Sequence, residues 1–383
     1  MESSTEQEQP SSNMPEPDHQ QFLGKRGIEQ ATYVMARWQM IACGAAILLL
    51  VLCVLIFTFS STFVWVNGIL TFFFLVSTIY RVMLIDKSLH SPQVIQVTTD
   101  ELKKADEAAY EWPRYVVQVP LYKEPGAILH LKHHLGLLDY PKDRLVIQLL
   151  VEEDDEATRA AIAQENISAP FKTVLIPVSY PRTKPKACNV GLAEADGDFL
   201  VIFDAEDRPE PDQLKKAALA FSRCHPNVAC IQAKLNFYNR TQNLITRLFA
   251  AEYSMWFDLS LPGLDALRAP IPLGGTSNHF RLSVLKDVQG WDEYNVTEDC
   301  DLGLRLFARG WRTRIMDSTT WEEACPRFFS WIRQRSRWVK GYIQTYLVHM
   351  RKPIEHTQAL GLRSSLHFHL LIGGSVLCQL LAP

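Results

Sequence analysis

Between Arg37 and Arg81 the chain runs for 43 residues without one Asp, Glu, Lys or Arg. A helix crossing the hydrocarbon core of a bilayer needs about 20 apolar residues. Its backbone N–H and C=O groups must be bonded within the segment, since no water is there to receive them. The run therefore predicts two spans, over 40–59 and 64–85, with 60–63 turning between them. Trp38, Trp65 and Tyr80 fall near the ends, where aromatic rings favour the interface. Lys25, Arg26 and Arg37 precede the first span, while Arg81 and Lys87 follow the second. Positive residues favour the cytoplasmic side, so both ends of the hairpin are expected there, in a multi-pass protein of the cell (inner) membrane. The rival reading is a buried helical hairpin of a soluble protein. A cleaved signal peptide is excluded, because the run is too long and starts too late.

Charge and cysteine usage narrow the class further. The 39 basic and 42 acidic residues leave a net charge of −3, so nucleic acid is not an expected partner. None of the eight cysteines forms a C-x-x-C pair, which argues against a disulfide scaffold or structural zinc and suits a reducing compartment. Residues 1–36, rich in Ser, Glu, Gln and Pro, read as a disordered cytoplasmic tail, followed by the hairpin at 37–86. A soluble domain is expected over 87–325. Its short β-branched runs at 115–120, 144–151, 172–177 and 198–203 alternate with helical spacing at 126–138 and 158–164. That alternation predicts an α/β, Rossmann-like, mostly parallel sheet covered on both faces. Ligands of such sheets bind beyond the carboxyl ends of the strands. Interfacial helices are expected over 326–360, where 328–348 is aromatic and basic with helical spacing. From 361 to 383 a third membrane helix begins, apolar over 366–383 and stopping short, as in a fragment of a longer protein.

Several strand-end loops carry chemistry. The strand at 198–203 runs into Asp204-Ala-Glu206-Asp207. Acids clustered there repel one another unless a cation lies among them, and hard oxygen ligands suit Mg²⁺ or Mn²⁺. The plainer alternative is an ordinary helix start. Glu152-Glu-Asp-Asp155 ends an earlier strand, either to meet a nucleobase or to cap the next helix. Pro181-Arg-Thr-Lys184-Pro-Lys186-Ala-Cys-Asn189 leads into a helix expected at 187–195; its lysines either meet phosphate or are solvated. Around Gly275 and Thr276, glycines permit close backbone approach to a ligand, here the acceptor, but equally suit a turn. Thr297-Glu298-Asp299 precedes a helical stretch at 300–309. Either Thr297 caps that helix, or its acids take a proton from an acceptor hydroxyl. Gln334, Arg337 and Trp338 stand at i, i+3 and i+4, on one helix face. A guanidinium there suits a diphosphate and an indole a sugar ring; the alternative is a helix snorkelling at the bilayer.

Taken in order, these motifs resemble the family 2 glycosyltransferases of the cellulose, hyaluronan and chitin synthase type, over roughly residues 110–350. The resemblance implies a GT-A fold, an inverting mechanism, a UDP-sugar donor and Mg²⁺ or Mn²⁺. It assigns Asp155 to the uridine, with Glu153 or Asp154 as substitutes because Glu-Glu-Asp-Asp departs from the commoner Asp-Asp-Gly. Asp204 is implied on the metal and diphosphate. Glu206 is the second acid of the Asp-x-Asp, with Asp207 as substitute. Lys186 and Asn189 match a Lys-x-x-Asn stretch near the donor, Asp299 beside Glu298 the catalytic base, and Gln334, Arg337 and Trp338 the diphosphate- and acceptor-binding motif. The expected reaction is transfer of glucose or N-acetylglucosamine to a growing β-linked saccharide. Single-sugar transfer to a glycolipid acceptor and a silent nucleotide-sugar-binding membrane protein are the alternatives.

Overall fold

A computed structural model describes residues 30–91, 93–165 and 167–381. Of the expected tail, residues 1–29 lie outside the described residues. Residues 30–36, grouped with the tail in the sequence, are packed instead: Ala31 is buried and its N–H donates to Asp292 Oδ2 at 2.7 Å.

The uncharged run forms two helices, α1 (Arg37–Phe57) and α2 (Phe59–His90). The break between them falls at Thr58, which takes φ +72°, and not at 60–63 as the sequence predicts. The Ser and Thr residues there are not a loop. They form the first turn of α2, where the Thr62 hydroxyl donates to the Thr58 carbonyl at 2.9 Å beside the Thr62 N–H at 3.1 Å. α1 exposes its apolar side chains throughout, Ile41 by 71%. α2 exposes one side along its whole length, Ile79 and Val82 included, but in its second half Tyr80 and Leu84 are buried against the domain. There α6 (Leu261–Ala266) approaches so closely that a Cβ on Gly263 would sit 2.2 Å from the Leu84 carbonyl oxygen. A third apolar helix, α9 (Leu362–Leu381), packs nearby, with Tyr80 Oη 2.9 Å from His367 Nδ1. All three helices are long and apolar enough to cross a membrane.

The domain between them is an α/β sheet of eight strands: β1 (Tyr115–Leu121), β2 (Leu145–Glu152), β3 (Phe171–Ile176), β4 (Phe199–Ile202), β5 (Arg208–Pro209), β6 (Val228–Phe237), β7 (Asn278–Arg281) and β8 (Arg312–Glu322). Their order is β3-β2-β1-β4-β7-β6-β8-β5. β3, β2, β1 and β4 are parallel; β7 runs antiparallel to both β4 and β6, and β6 is parallel to β8. The first four strands coincide with the four apolar runs of the sequence to within two residues. They read clearly because both faces of a parallel sheet are covered, so nearly every side chain is apolar. Val117, Ile147 and Val201 lie in one core layer; Leu150, Leu200 and Ile202 lie in another, which also takes in Tyr80 and Leu84 of α2.

Candidate active site

The carboxyl ends of β1, β2 and β4 open onto a cleft of about 630 Å³. Tyr122, Glu124, Glu152, Arg182, Thr183, Lys184, Asp204 and Glu206 line it. A smaller hollow around Arg144, Asp198 and Arg281 lies at the amino ends, away from where parallel sheets bind ligands.

One lysine organises the cleft. The helix α4 (Lys184–Glu194) begins with Lys184, three residues earlier than expected, with Pro185 in its first turn. Two residues apart on a helix means about 200° of rotation, so Lys184 and Lys186 point opposite ways. Lys184 Nζ pairs with Asp204 and donates to the Gly275 carbonyl at 2.8 Å. Burial opposes its charge, yet the carboxylates of Asp204 and Glu298 hold its pKa above the ordinary lysine range. Lys186 turns away, buried beside Glu152 at 3.4 Å and donating to the Pro177 carbonyl. Asn189 is likewise spent on structure. Its amide donates to the Trp291 carbonyl and Glu293 Oε1 at 2.9 and 2.8 Å and accepts the Trp291 N–H. Of these three residues, Lys184 is the one that lines the cleft.

The acids converge on that lysine from four loops. Gly275 brings Asp299 in: a Cβ on Gly275 would stand 3.6 Å from Asp299 Oδ2. Asp299 and Glu298 open α7 (Glu298–Ala308), and Asp299 Oδ1 accepts the Cys300 N–H at 2.7 Å. Burial lifts both: Glu298 to about 8, with the Asp299 charge adding to it, and Asp299 to about 6, with the Asp204 charge adding to it against the Cys300 N–H bond and the Lys184 charge. Burial and the charge of Asp204 push Glu206 up to about 7, and the same two causes raise Glu124. Glu322, at the end of β8, is raised by burial and by Asp207, Asp204 and Glu206.

These groups bear on the metal that the resemblance implies. Asp207, a substitute ligand in the sequence reading, is buried and braces the loop: its Oδ2 accepts the Asp204 N–H at 2.8 Å and meets the Thr276 hydroxyl. Its Oδ1 is buried without a hydrogen-bond partner, and burial with the Asp204 charge drives its pKa far up. Thr276, buried at 1% exposure, supports Asp207. Among the described residues no three His, Cys, Asp or Glu side chains form a ready cage. Asp204 and Glu206 instead fit an ion held by one or two carboxylates and completed by phosphate oxygens, as Mg²⁺ prefers. The Asp204 charge adds to burial in raising Glu206, Glu124 and Asp207, and a cation placed among them would relieve that repulsion.

At the other strand end, Asp155 is a cap. Its carboxylate accepts N–H groups from Thr158 at 3.2 Å and from Lys123, opening α3 (Glu156–Gln164). Burial opposes its charge, but those bonds hold its pKa below the usual range. Glu153 is exposed, and Asp154 pairs with Arg182 at 2.7 Å. In this loop the acid that lines the cleft is Glu152.

The last motif lies on α8 (Phe328–His349). Gln334, Arg337 and Trp338 stand outside the cleft lining, one and two turns before Gly341. Trp338 packs on Phe249 and Tyr253 of α5 (Leu244–Ser254), ring centroids 5.9 and 6.5 Å apart. Arg335 stacks between these rings and pairs with Glu252. Arg337 is exposed, and Gln334 Oε1 is buried without a partner. α8 reaches the loop before Glu298 and Asp299 at Gly341, where a Cβ would stand 2.3 Å from Thr297 Cγ2. One turn on, Gln344 Oε1 accepts the Val296 N–H at 3.1 Å and Thr345 Oγ1 meets Asn295 and Thr297. Thr297 stands at the cap position of α7, yet its hydroxyl goes to Thr345 and not to the helix. Lys184, Glu124, Glu322 and Gly341 are the site residues that sequence reasoning left unassigned. Pro185 at a helix start and Glu322-Glu323 closing a Thr-rich run were signals for two of them.

Residues 199–383, which hold Asp204, Asp299 and α8, match the model of the glycosyl transferase family group 2. The chain is 26% identical over 245 residues to the "Probable glycosyltransferase YdaM" of Bacillus subtilis (strain 168), covering 63% of this chain and 58% of that one. It is 28% identical over 242 residues to "Glucomannan 4-beta-mannosyltransferase 2" of Arabidopsis thaliana, covering 60% and 44%. The chain thus spans less than two thirds of the length of these relatives. Among solved structures, the mannosyltransferase PcManGT of Pyrobaculum calidifontis, in complex with GDP-Man and Mn²⁺, aligns at 19% identity and TM-score 0.46 over 78% of this chain and 92% of its own. TarS 1-349 of S. aureus in complex with UDP-GlcNAc aligns at 15% identity and TM-score 0.48 over 70% and 76%. Residues 199–383 are thus similar to the glycosyl transferase family group 2, in a chain whose α/β domain follows an apolar helical pair.

Proposed function

We propose that the chain is a membrane-anchored, inverting glycosyltransferase that moves glucose or N-acetylglucosamine from a UDP-sugar to a growing β-linked saccharide on the cytoplasmic side. The observation that carries the proposal is the meeting of Asp204 and Asp299, 95 positions apart, around Lys184 and the Gly275 carbonyl. Asp299 takes the proton of the attacking hydroxyl as the new bond to the anomeric carbon forms and the bond to the diphosphate breaks. Its raised pKa suits that task near neutrality. Asp204 and Glu206 hold Mg²⁺ or Mn²⁺, which when bound supplies the charge that stabilises the departing diphosphate. Lys184 is placed to exchange its carboxylate partner for a phosphate oxygen. Arg337 and Trp338, on the helix that leans against the Asp299 loop, meet the diphosphate and the acceptor sugar.

Release of nucleotide from UDP-glucose, UDP-N-acetylglucosamine and GDP-mannose, in membranes holding the protein, tests this reading. The mannosyl donor is included because the plant relative is named for mannosyl transfer. We expect turnover with one UDP-sugar, and its loss both with EDTA and in Asp299→Asn, the latter by about 10²–10⁴-fold. Full activity of Asp299→Asn removes the base, and indifference to EDTA removes the ion. Product length separates polymer synthesis from single transfer to lipid.

A further inference from the structure

The contacts of residues 30–39 have no place in the transfer chemistry, yet they end on the loop that carries the base. This segment has no regular structure of its own before α1 begins at Arg37. Nevertheless it is fixed at both ends. The Ala31 N–H donates to Asp292 Oδ2 at 2.7 Å, and the Ala31 carbonyl accepts from Gln344 Nε2 at 3.4 Å. Further along, Arg351 donates to the Gln30 carbonyl at 2.9 Å and lies 4.1 Å over the Tyr33 ring. Trp38 Nε1 and Gln39 Nε2 donate to the carbonyls of Arg351 and Leu347, each at 2.9 Å.

From these anchors a short path leads to Asp299. The other oxygen of Asp292 accepts the Tyr294 N–H at 3.1 Å. Gln344 donates to the Tyr294 carbonyl at 2.9 Å and accepts the Val296 N–H at 3.1 Å. Asn295 Oδ1 accepts the Thr297 N–H at 3.0 Å, and α7 with Glu298 and Asp299 starts at the next residue. Asp292 is buried at 3% exposure, so a lost N–H donor there is not replaced by bulk water. The loop from 292 to 297 has no strand or helix to hold it. It is held by these side-chain bonds together with the Asn295 N–H on the Asp292 carbonyl at 3.2 Å and the bonds of Thr183 and Asn189 to Glu293.

We infer that residues 30–39 form a strap that positions the 292–297 loop, so that Ala31, Tyr33 and Arg351 act on catalysis through the placement of Asp299. This rests on the reading of Asp299 as the base. The strap joins the start of the first apolar helix to the catalytic acids, so the two move as one unit. A displacement of the base by about 1 Å is enough to cost on the order of 10²-fold in rate without touching donor binding.

The test compares hydrogen exchange and kinetics of the full chain in detergent or membranes. Ala31→Pro removes the N–H that Asp292 accepts, whereas Ala31→Gly keeps it. Tyr33→Ala removes the ring under Arg351 from a half-exposed position where folding is not at stake, and Tyr33→Phe keeps the ring. Backbone exchange over 292–299 is expected to quicken at least several-fold in Ala31→Pro and Tyr33→Ala. It stays at the wild-type rate in Ala31→Gly and Tyr33→Phe. In parallel kcat falls about tenfold or more in the first pair while the donor KM holds. Unchanged exchange in Ala31→Pro and Tyr33→Ala overturns the strap. So does a fall in kcat and a rise in KM that merely track a lowered melting temperature. Asp299→Asn, measured alongside, keeps the two readings apart. If that variant turns over normally the base reading fails on its own, whatever the strap variants do. If it is dead while Ala31→Pro behaves as wild type, only the strap fails.

Discussion

At the scale of single residues, the sharpest distinction is between two lysines two positions apart. Lys184→Met removes the ammonium that pairs with Asp204 and donates to the Gly275 carbonyl. It is expected to lower kcat/KM for donor while leaving the melting temperature nearly unchanged. Lys186→Met leaves the Glu152 carboxylate buried and unpaired, and is expected to destabilise the fold by about 3–5 kcal/mol. Thermal melts and steady-state kinetics on the pair decide the assignment; the reverse pattern would return Lys186 to the donor. A second residue-scale expectation concerns pH. Asp299 acts unprotonated, and burial lifts its pKa to about 6, so kcat/KM rises with pH through that region and falls away below it. A pH–rate profile with its acid limb in the ordinary carboxylate range, near 4, would contradict the buried base. Most of the acids were legible in the sequence because they end apolar runs. The lysine was not, since its direction depends on where α4 starts. A start at 187 leaves both lysines in a loop, whereas a start at 184 sends them to opposite sides.

Whole elements carry the next layer. α8 approaches the Thr297 loop at Gly341 with no room for a side chain. Gly341→Ala therefore pushes helix and loop apart, and we expect at least a tenfold loss of kcat with little change in donor KM. Wild-type kinetics in that variant would show that the contact has slack. β8 illustrates what sequence pattern alone misses. Its Thr, Ser and Arg residues do not read as a buried strand, yet Thr320 and Ser318 are buried and bonded to Gln213 and Ser277. The same network holds His279 between Tyr115 at 2.6 Å and Gln213 at 3.3 Å. Only the assembled partners make such a strand favourable. Burial lowers the His279 pKa to about 3. Because that folded value lies below the unfolded one, its contribution to stability is full above about 6.5 and is lost as pH falls from there toward 3. Replacing His279 by Leu abolishes that dependence and orphans the Tyr115 hydroxyl, costing about 1–3 kcal/mol at neutral pH. Denaturant melts at pH 7 and pH 5 check both statements.

For the molecule as a whole, the three apolar helices and the α/β domain form one body, since the second half of α2 is buried on one side in the core beside Gly263. The length and lack of charge of α1 and α2 were plain in the sequence; that half of α2 packs on protein was not, because residues against protein and against lipid are both apolar. Gly263→Val sets a side chain against the Leu84 backbone, which cannot rotate aside. It is expected to lower stability by about 1–3 kcal/mol, read from a melt in detergent. The cleft has a further consequence for traffic into it. Among the residues lining it, Glu124, Glu152, Asp204 and Glu206 outnumber Lys123, Arg182 and Lys184, so the recess disfavours a highly charged anion. A free nucleotide diphosphate meets that field, whereas its chelate with a divalent ion arrives largely neutralised. Loading then has an order: in rapid mixing, enzyme given the preformed chelate starts without a lag, and enzyme given bare nucleotide waits for the ion.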